Sequence, residues 1–537
     1  MRPARAIFHV LILSSAGCFD HKALIGETET EVASRSKAKQ TAPKVTGGHS
    51  IRSVPELPLP TERPMIGGPG LNQFGEPVAT ADAAGLLALL RARKFEQLET
   101  YLASYQADFE ADLRKERWSI DSARAFFIPD LSLEPILDEW VAHSPKSFAS
   151  WLGRGVYLSA RAWDARGEKY ASETSAEQFA KMRELLARGR KDLDRALELR
   201  PNLQGAFFEL INGGRSGGDE AGQAATLGRA LAACPDCFAV RGVYLRGRTP
   251  EWGGSYEEMD RFAQKAQDGA QRNPKLAKLL DQAAISRCRR MKLDDKNGAE
   301  VEAQCTNAMA HAESATALEK RARAREKLGK QEARLADLTR AIELEPNEPG
   351  FYADRFRALS DASRFEEAAD EVLREARLSP GREELAERLK WIRATLNYRG
   401  SELTKEKKYD EAVRSFDSAL RLVPDDQELQ GRRVLALVGK HGIEGLKERA
   451  RTAKSNITFY DELVLALEFE KRFPEVEAAW NEFVAANPGR ADAYFGRATY
   501  FHHSKQDAKA TPDLVKACGL GHQEACSHVP KDAAQQK

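Results

Sequence analysis

The sequence has 537 residues, of which 42% are hydrophobic and 30% are charged, so it has enough apolar material for several domains or one long repeat array. Lys and Arg (82 residues) nearly balance Asp and Glu (81 residues), and the formal net charge is +1. Because there is neither a basic excess nor a long run of one charge sign, we do not expect nucleic acid as a partner.

The N-terminus has the pattern of an export signal. Arg2 and Arg5 precede a short apolar stretch, residues 6–13, which cannot cross a hydrocarbon core of about 30 Å. The run Ser15-Ala16-Gly17-Cys18 resembles a bacterial lipobox, although Ser15 stands where that family usually has Leu. We therefore predict a lipoprotein signal peptide over residues 1–17 and lipidation of Cys18.

A lipid on Cys18 would anchor the chain in the bacterial cell envelope. Phe19 follows the cysteine, whereas an Asp there would resemble an inner-membrane retention signal. The expected location is therefore the outer membrane, facing the periplasm, rather than the inner membrane. Ordinary signal cleavage after Ala16 and a cytoplasmic protein remain the alternatives.

Residues 18–79 show no sustained period of a helix or a strand. Ser, Thr, Lys and Gly dominate the first part, and prolines dominate the second: Pro55, Pro58, Pro60, Pro64 and Pro69. Such a composition buries too little apolar surface to offset the entropy of ordering the chain. We predict a disordered, proline-rich tether over residues 18–79.

From about Thr80 onward, apolar residues recur at helical spacing and no segment sustains a period of two, which predicts an all-α fold. Prolines recur just after apolar helix ends, at Pro145, Pro201, Pro235, Pro274, Pro346, Pro380, Pro424 and Pro488. The intervals from Pro201 to Pro235 and from Pro346 to Pro380 are both 34 residues. A fixed period of this length indicates a helical repeat.

These repeats resemble the tetratricopeptide repeat (TPR). Before Pro424, the small and large positions of that family are filled by Gly400, Leu403, Ala412, Phe416 and Ala419. The resemblance implies a right-handed α-α superhelical solenoid, in which each helix pair buries its apolar face on the next pair. We predict a TPR array over residues 276–490 and a divergent TPR-like domain with inserted loops over residues 80–275.

The divergent half carries two further motifs, Trp163-Asp-Ala-Arg166-Gly167 and Pro250-Glu-Trp252-Gly253-Gly254-Ser255. They resemble an uncharacterised bacterial repeat family, a domain of unknown function that implies no activity. One interpretation is structural: the glycines permit a tight turn, and Ser255 with Glu258 forms a capping box. The other is a loop site in which Trp163, Arg166, Trp252, Gly253 and Gly254 hold a ligand.

Six cysteines remain besides Cys18: Cys234, Cys237, Cys288, Cys305, Cys518 and Cys526. An even number in an exported protein suggests disulfides, and the pairing 234–237, 288–305 and 518–526 is one of 15 connectivities. Cys234 and Cys237 also have the spacing of a thioredoxin-type redox pair. Because Pro235 occupies the position that ends a repeat, we favour a structural pair at a turn.

The C-terminal segment Lys516–Cys526 resembles a Sel-like repeat with paired cysteines. The resemblance implies a helical pair over residues 491–529 closed by a Cys518–Cys526 bridge, followed by a disordered tail over residues 530–537. The alternative is zinc, because Cys518, His522, Cys526 and His528 are all metal-ligating types. We predict the bridge and no metal.

The sequence has no HExxH, G-x-S-x-G, Walker-type or dinucleotide motif, so nothing in it argues for an enzyme or a cofactor. In the TPR family the first helix of each pair lines a concave binding face. Here that face would present Glu319, Arg323, Glu326, Lys327, Asn397, Ser401, Thr404 and Lys405. We predict a membrane-anchored scaffold for a protein or peptide partner, with an envelope ligand-binding module or enzyme on the Trp163/Arg166/Trp252 loops as the alternative.

Overall fold

A computed structural model describes residues 59–167, 173–216, 219–380 and 383–530. The predicted signal peptide, Cys18, the first part of the predicted tether and residues 531–537 lie outside the described residues. The described chain is almost entirely α-helical and forms two compact units. The N-terminal unit comprises residues 59–392 and the C-terminal unit comprises residues 393–530.

The N-terminal unit contains two short strands and sixteen complete α-helices among its described residues. They are β1 (Met65–Ile66), β2 (Thr80–Ala81), α1 (Ala83–Arg91), α2 (Phe95–Ala111), α3 (Glu116–Arg124), α4 (Glu134–His143), α5 (Phe148–Arg166), α6 (Ala176–Leu199), α7 (Gln204–Ser216), α8 (Glu220–Ala233), α9 (Ala239–Arg246), α10 (Tyr256–Ala266), α11 (Gln282–Arg290), α12 (Gly298–Asn307), α13 (Ala315–Lys327), α14 (Gln331–Leu344), α15 (Pro349–Asp361) and α16 (Phe365–Leu378). Short 3-10 helices join some of them, at Leu113–Lys115, Leu131–Leu133, Pro250–Trp252, Gln267–Gly269 and Pro274–Asp281.

The boundary between the units falls within α17 (Glu383–Lys405). The C-terminal unit continues with α18 (Tyr409–Leu422), α19 (Gln427–Thr452), α20 (Ile457–Phe469), α21 (Phe473–Ala486), α22 (Ala491–His503), α23 (Asp507–Gly519) and α24 (Gln523–His528). Gly442, at φ 65°, interrupts α19. The predicted domain boundaries after residues 275 and 490 lie inside these units. None of the helices in the described ranges is both long and apolar enough to cross a bilayer.

Helices adjacent in sequence pack as antiparallel pairs, which confirms the predicted all-α helical repeat. The pairs approach closely because a glycine faces a bulky side chain at the crossing. A Cβ on Gly400 would lie 2.7 Å from the ring of Phe416, and one on Gly496 would lie 2.3 Å from the ring of Trp480. A single pair leaves its other face apolar, so successive pairs must stack to bury it.

The described part of the predicted tether is ordered, so the prediction of disorder is corrected for residues 59–79. Arg63 pairs with Asp108 and lies over the rings of Tyr105 (4.8 Å) and Trp118 (5.0 Å). Tyr105 donates a hydrogen bond to the carbonyl of Pro64. The prolines keep the segment extended, but α2 and α3 supply the packing partners that the segment itself lacks.

The same N-terminal segment also joins the later repeats of its unit. The Asn347 side chain accepts a hydrogen bond from the N–H of Ala83 (3.1 Å) and donates one to the carbonyl of Ala81 (2.8 Å). Lys275 Nζ lies 2.8 Å from a carboxylate oxygen of Glu76, and both side chains are nearly buried. Residues of α1–α9 share one hydrophobic core with residues of α13–α16. The later repeats of the N-terminal unit therefore pack against its first residues, a contact that we call the closure of this unit.

The structure joins the six cysteines in the three sequence-local pairs. Cys234–Cys237 spans the turn between α8 and α9, Cys288–Cys305 joins α11 to α12, and Cys518–Cys526 joins α23 to α24. Cys288 and Cys305 are 1% and 0% exposed, so this bridge lies in the core between its helices. Each bridge therefore links neighbouring elements of the array.

Candidate ligand-binding surfaces

Two residues of the predicted loop site meet in the N-terminal unit. The rings of Trp163, at the end of α5, and Trp252 lie edge to face with centroids 6.4 Å apart. The guanidinium of Arg215, in the last turn of α7, lies 5.1 Å from the centroid of Trp163 and 4.9 Å from that of Trp252. An aromatic and cationic cluster therefore exists here, with Arg215 as its cation.

Arg166, the cation that we predicted for this site, is engaged at the end of α5. Its Nη1 donates to the carbonyl of Gly167 at 3.0 Å, and Gln178 donates to the carbonyl of Arg166 at 3.1 Å. Arg166 follows Trp163 by three residues, but Arg215 reaches the same ring from the next repeat. The structure thus places the predicted aromatic pair together and gives the cationic position to another residue.

The glycines of the second motif fill a structural role. Gly253 has φ 89°, a left-handed conformation, and a Cβ on Gly254 would lie 2.2 Å from the carbonyl oxygen of Arg248. Ser255 accepts a hydrogen bond from the N–H of Glu258 at 3.1 Å and so caps α10. Arg290 of α11 pairs with Glu251. This turn geometry holds Trp252 beside Arg215.

Further arginines line the same region. The guanidinium carbons of Arg124 and Arg246 lie 5.0 and 5.3 Å from the centroid of the Phe208 ring. Arg124 also donates a hydrogen bond to Glu209 at 3.1 Å. Glu209 is 1% exposed, and burial raises the pKa of its carboxyl while the charge of Arg124 opposes the rise.

The predicted groove residues of α13 form ion pairs within their own unit. Arg323 pairs with Glu319 of the same helix and lies 3.5 Å from Asp354 of α15. Burial raises the pKa of the Glu319 carboxyl. The other two predicted residues are also paired, Glu326 with Arg334 (3.1 Å) and Lys327 with Asp295 (2.9 Å).

Glu326 borders a cavity of about 260 Å³ that also contacts α15 and α17. The Trp391 side chain lines it, is 46% exposed, and lies edge to face on Phe356 with centroids 5.8 Å apart. Charged side chains surround the indole: Arg334, Arg357 and Asp361. An exposed tryptophan with a rim of both charges has the composition of a protein-binding surface.

The predicted groove residues of the C-terminal unit make mostly local contacts. The hydroxyls of Ser401 and Thr404 donate to carbonyls one turn earlier, at 2.9 and 2.7 Å. Lys405 pairs with Glu402 at 2.7 Å, and Arg432 of α19 donates to Ser401 at 2.7 Å. Asn397 Oδ1 is buried without a hydrogen-bond partner. Of these contacts, only the one between Arg432 and Ser401 joins two helices.

Three of the four residues that we considered as zinc ligands at the C-terminus make other contacts. Cys518 and Cys526 are bridged, and His522 Nδ1 accepts a hydrogen bond from the N–H of Ala525 at 3.2 Å, so that His522 caps α24. The His522 ring also stacks on Phe495 with centroids 4.2 Å apart. Over the described ranges, no three His, Cys, Asp or Glu side chains are grouped to hold a metal ion.

Sequence reasoning missed Arg215, Arg246 and Arg289. All three lie in the last turns of helices, α7, α9 and α11. Residues at one register of successive repeats come close when the repeats stack. An internal alignment of helix ends would have revealed this recurring arginine, whereas a search along the chain found only the tryptophan motifs.

No family model matches the sequence, and no curated protein matches it. Solved structures do match. The chain is similar to the TPR domain of P58(IPK), at 15% identity over 65% of this chain and 95% of that one, with a TM-score of 0.25. It is also similar to YrrB, described as a TPR protein with an unusual peptide-binding site, at 19% identity over 35% of this chain and 96% of that one, with a TM-score of 0.17.

A third similar structure is Naa15/Naa10 bound to HypK-THB, at 12% identity over 82% of this chain and 64% of that one, with a TM-score of 0.28. Identities and TM-scores this low carry no inference about a site or a ligand. The description of this chain as a TPR-like helical repeat therefore follows from its own helix pairs, with their small and large residues at the crossings.

Proposed function

We propose that this chain is a non-enzymatic scaffold that binds a protein partner and is held in the bacterial cell envelope by a lipid on Cys18. The observation that carries the proposal is the half-exposed Trp391 at the mouth of a 260 Å³ cavity. Tryptophan and arginine contribute most to the affinity of protein interfaces, and here Trp391 lies beside Arg357, whose side chain is 62% exposed.

The rim of this cavity suits a partner segment that carries both charges. Arg334 pairs with Asp361 at 2.6 Å and with Glu326 at 3.1 Å. The other oxygen of each carboxylate can therefore accept a hydrogen bond from a partner. Rim charges steer association and fix register more than they add affinity. We expect the indole of Trp391 to supply the affinity and the ion pairs to select the partner.

A photo-crosslinker at Arg357 tests the surface in cells. The expected result is one covalent partner, and Trp391→Ala should abolish the crosslink. The matched control is Leu131→Ala, since Leu131 is 65% exposed in the same unit and lies in the 3-10 helix Leu131–Leu133. Equal crosslinking in both variants would contradict the proposal.

Trp391 also packs on Phe356 and Phe365, so the alanine variant needs a folding check. Arg357→Gln provides a second test, because the Arg357 side chain is exposed and the substitution removes its charge and its ion pair with Asp354 while the indole stays in place. With the crosslinker moved to Ser360, which also lines the cavity, this variant should weaken partner capture with only a small change in melting temperature.

The anchor is tested separately. The lipobox-like run before Cys18 and the three cysteine pairs, which suit an oxidising compartment, support an exported lipoprotein. Radiolabelled palmitate should enter the wild-type chain and be absent from Cys18→Ala. Fractionation should place the labelled chain with the outer membrane. Label retained in the variant would exclude Cys18 as the lipidated residue.

A second candidate function is ligand binding at Trp163 and Trp252. The observation that favours it is the position of Arg215 against both indole rings.

A further inference from the structure

A cavity of about 520 Å³ in the N-terminal unit is lined mostly by cationic side chains. It lies between the end of α11, the turn that follows this helix and α13. We call it the cationic cleft. The residues that line it are Arg289, Arg290, Met291, Lys292, Leu293, Lys320 and Arg323. Five of these seven residues are cationic and none is acidic, so the lining attracts anions.

Contacts within the chain hold the sides of the cationic cleft together. Lys320 Nζ donates a hydrogen bond to the carbonyl oxygen of Met291 at 2.7 Å and so ties the turn after α11 to α13. Cys288, the residue before Arg289, is buried and bridged to Cys305 of α12. Because these links exist without a ligand, a ligand would meet a site that is already formed, which lowers the entropic cost of binding.

Two of the five cations are paired with carboxylates that do not line the cationic cleft. Arg290 pairs with Glu251, in the 3-10 helix before α10. Arg323 pairs with Glu319, one turn earlier on α13. Neither carboxylate is a lining residue, so these pairs position the two guanidinium groups without filling the cleft.

The other three cations form no ion pair with a residue that the structure describes: Arg289, Lys292 and Lys320. Lys320 bonds instead to a carbonyl oxygen, and burial together with the charge of Arg323 lowers the pKa of its ammonium. Three positive charges therefore line one cavity, where they repel one another as far as water does not screen them. An anion in the cavity would remove this repulsion.

The helix dipole explains only part of this pattern. The last turn of α11 carries Arg287, Arg289 and Arg290, and cations at a helix C-terminus interact favourably with the dipole. The dipole of α11 does not explain why α13 contributes Lys320 and Arg323 to the same cavity. Cations from two helices around one cavity indicate an anionic ligand.

We propose that the cationic cleft binds a ligand that carries a phosphate group. A phosphate monoester has up to two negative charges and three acceptor oxygens, enough for all three cations that lack an ion pair. A guanidinium binds two of these oxygens at once, and an ammonium binds as a point charge. A carboxylate has only two oxygens and one charge. Met291 and Leu293 provide apolar contacts for the organic part of the ligand. The proposal does not depend on the protein-binding surface at Trp391.

Titration calorimetry tests the proposal with glycerol 3-phosphate as the probe and with glycerol as the same molecule without phosphate. The full chain carries Cys18→Ala throughout, so that no lipid on Cys18 adds membrane binding. We expect saturable binding of glycerol 3-phosphate and no binding of glycerol. Arg289→Gln with Lys292→Gln should weaken the binding at least tenfold, because it removes two of the three cations that lack an ion pair.

The matched control is Arg183→Gln with Lys265→Gln, which removes the same net charge at exposed positions of α6 and α10. It should change the affinity less than twofold. Neither double variant breaks an ion pair between described residues, so both should melt close to the parent chain without ligand. Equal weakening in the two double variants would overturn the proposal, because the effect would then come from net charge alone.

A lipid headgroup offers the same phosphate chemistry as a soluble ester, and sedimentation with vesicles distinguishes the two sources. The vesicles contain equal parts of phosphatidylcholine and phosphatidic acid. Binding to vesicles that is lost only in the Arg289/Lys292 double variant, without binding of glycerol 3-phosphate, assigns a headgroup. Binding of glycerol 3-phosphate without vesicles assigns a soluble ester. Binding to neither would overturn the proposal, and so would tighter binding of succinate, a dicarboxylate.

Discussion

Glycine lies opposite a bulky side chain at helix crossings in both units. A Cβ on Gly155 would lie 2.8 Å from Leu193 Cγ and 3.2 Å from the carbonyl oxygen of Gly189. Gly400 and Gly496 have the same relation to Phe416 and Trp480. The absent side chain is thus what allows the two backbones to approach. Adding a single methyl group at such a glycine therefore tests how much the close approach matters for stability.

Gly155→Ala should destabilise the N-terminal unit by about 1–3 kcal/mol, the usual cost of overpacking a core. Gly228→Ala is the matched control, because Gly228 is also helical but has nothing within 4 Å of its ideal Cβ position. That variant should be stabilised by about 0.5–1 kcal/mol through reduced chain entropy. Urea unfolding measures both, and the same sign in both variants would contradict the packing argument.

Lys278 makes the stability of the N-terminal unit depend on pH. Burial and the charge of Lys275 lower the pKa of its ammonium from 10.5 to about 8. The folded chain therefore binds fewer protons than the unfolded chain between pH 8 and 10.5, so the lysine costs stability below about pH 8 and this cost disappears as the pH rises.

Lys278→Met should raise the free energy of unfolding by about 1–2 kcal/mol at pH 7 and by much less at pH 10. Lys265→Met, at an exposed position of α10, should show no such difference. Urea unfolding at the two pH values measures the effect. A gain that stays constant with pH would show that Lys278 titrates normally.

At the scale of elements, short helices depend on links to other parts of the chain. α9 has only eight residues, and the buried carboxylate of Glu116 accepts hydrogen bonds from the N–H groups of Phe238 and Ala239 at its N-terminus, at 3.1 and 2.9 Å. The helices α11 and α12 are joined by the Cys288–Cys305 bridge. None of these helices is long enough to be stable alone, so Glu116 stabilises the N-terminus of α9 and the bridge holds α11 on α12.

Cys288→Ala with Cys305→Ala should lower the free energy of unfolding by about 3 kcal/mol, the loop-closure entropy expected for a bridge of this span. A reducing agent should produce a similar loss in the wild type. In the double variant, reductant should add only the smaller losses of the two shorter bridges. An unchanged urea midpoint in the double variant would mean that packing alone holds α11 on α12.

At the scale of the whole molecule, the later repeats of the N-terminal unit contact the residues at the start of the same unit. Asn347, after α14, is bonded to the backbone on both sides of Asp82, and Gln73 donates to the carbonyl of His311 at 2.9 Å. These contacts join residues more than two hundred positions apart in sequence. The same N-terminal segment places the ring of Phe74 6.0 Å from Lys278 Nζ and so contributes to the burial of this lysine.

Asn347→Leu should release this closure, because it leaves the N–H of Ala83 and the carbonyl of Ala81 without partners at a cost of about 1–3 kcal/mol. Hydrogen exchange at Ala83 should accelerate at least tenfold. Asn307→Leu, at an exposed helix end, is the control and should leave this exchange unchanged. Slow exchange at Ala83 in Asn347→Leu would show that the β1–β2 pair holds the segment without Asn347.

The sequence by itself determined the helix pairs, because the small and large residues at Gly400 and Phe416 and the recurring prolines are local features of one or two helices. It also indicated that Trp163 and Trp252 form one cluster. The pairing of neighbouring cysteines was one of the connectivities that the sequence allowed. All of these relations lie within one repeat or link two neighbouring ones, where helical geometry alone brings the residues together.

Tertiary structure decided what depends on distant repeats. Residues 59–79 were expected to be disordered because they have no apolar period, yet Tyr105, Trp118 and Lys275 supply their partners. Arg215 meets Trp163 and Trp252 only because the repeats that carry them stack in register. The physical reason is that stacking and closure depend on packing between helix faces that are far apart in sequence. The periodicity of the sequence shows which residues share a face, but it does not indicate which faces pack together.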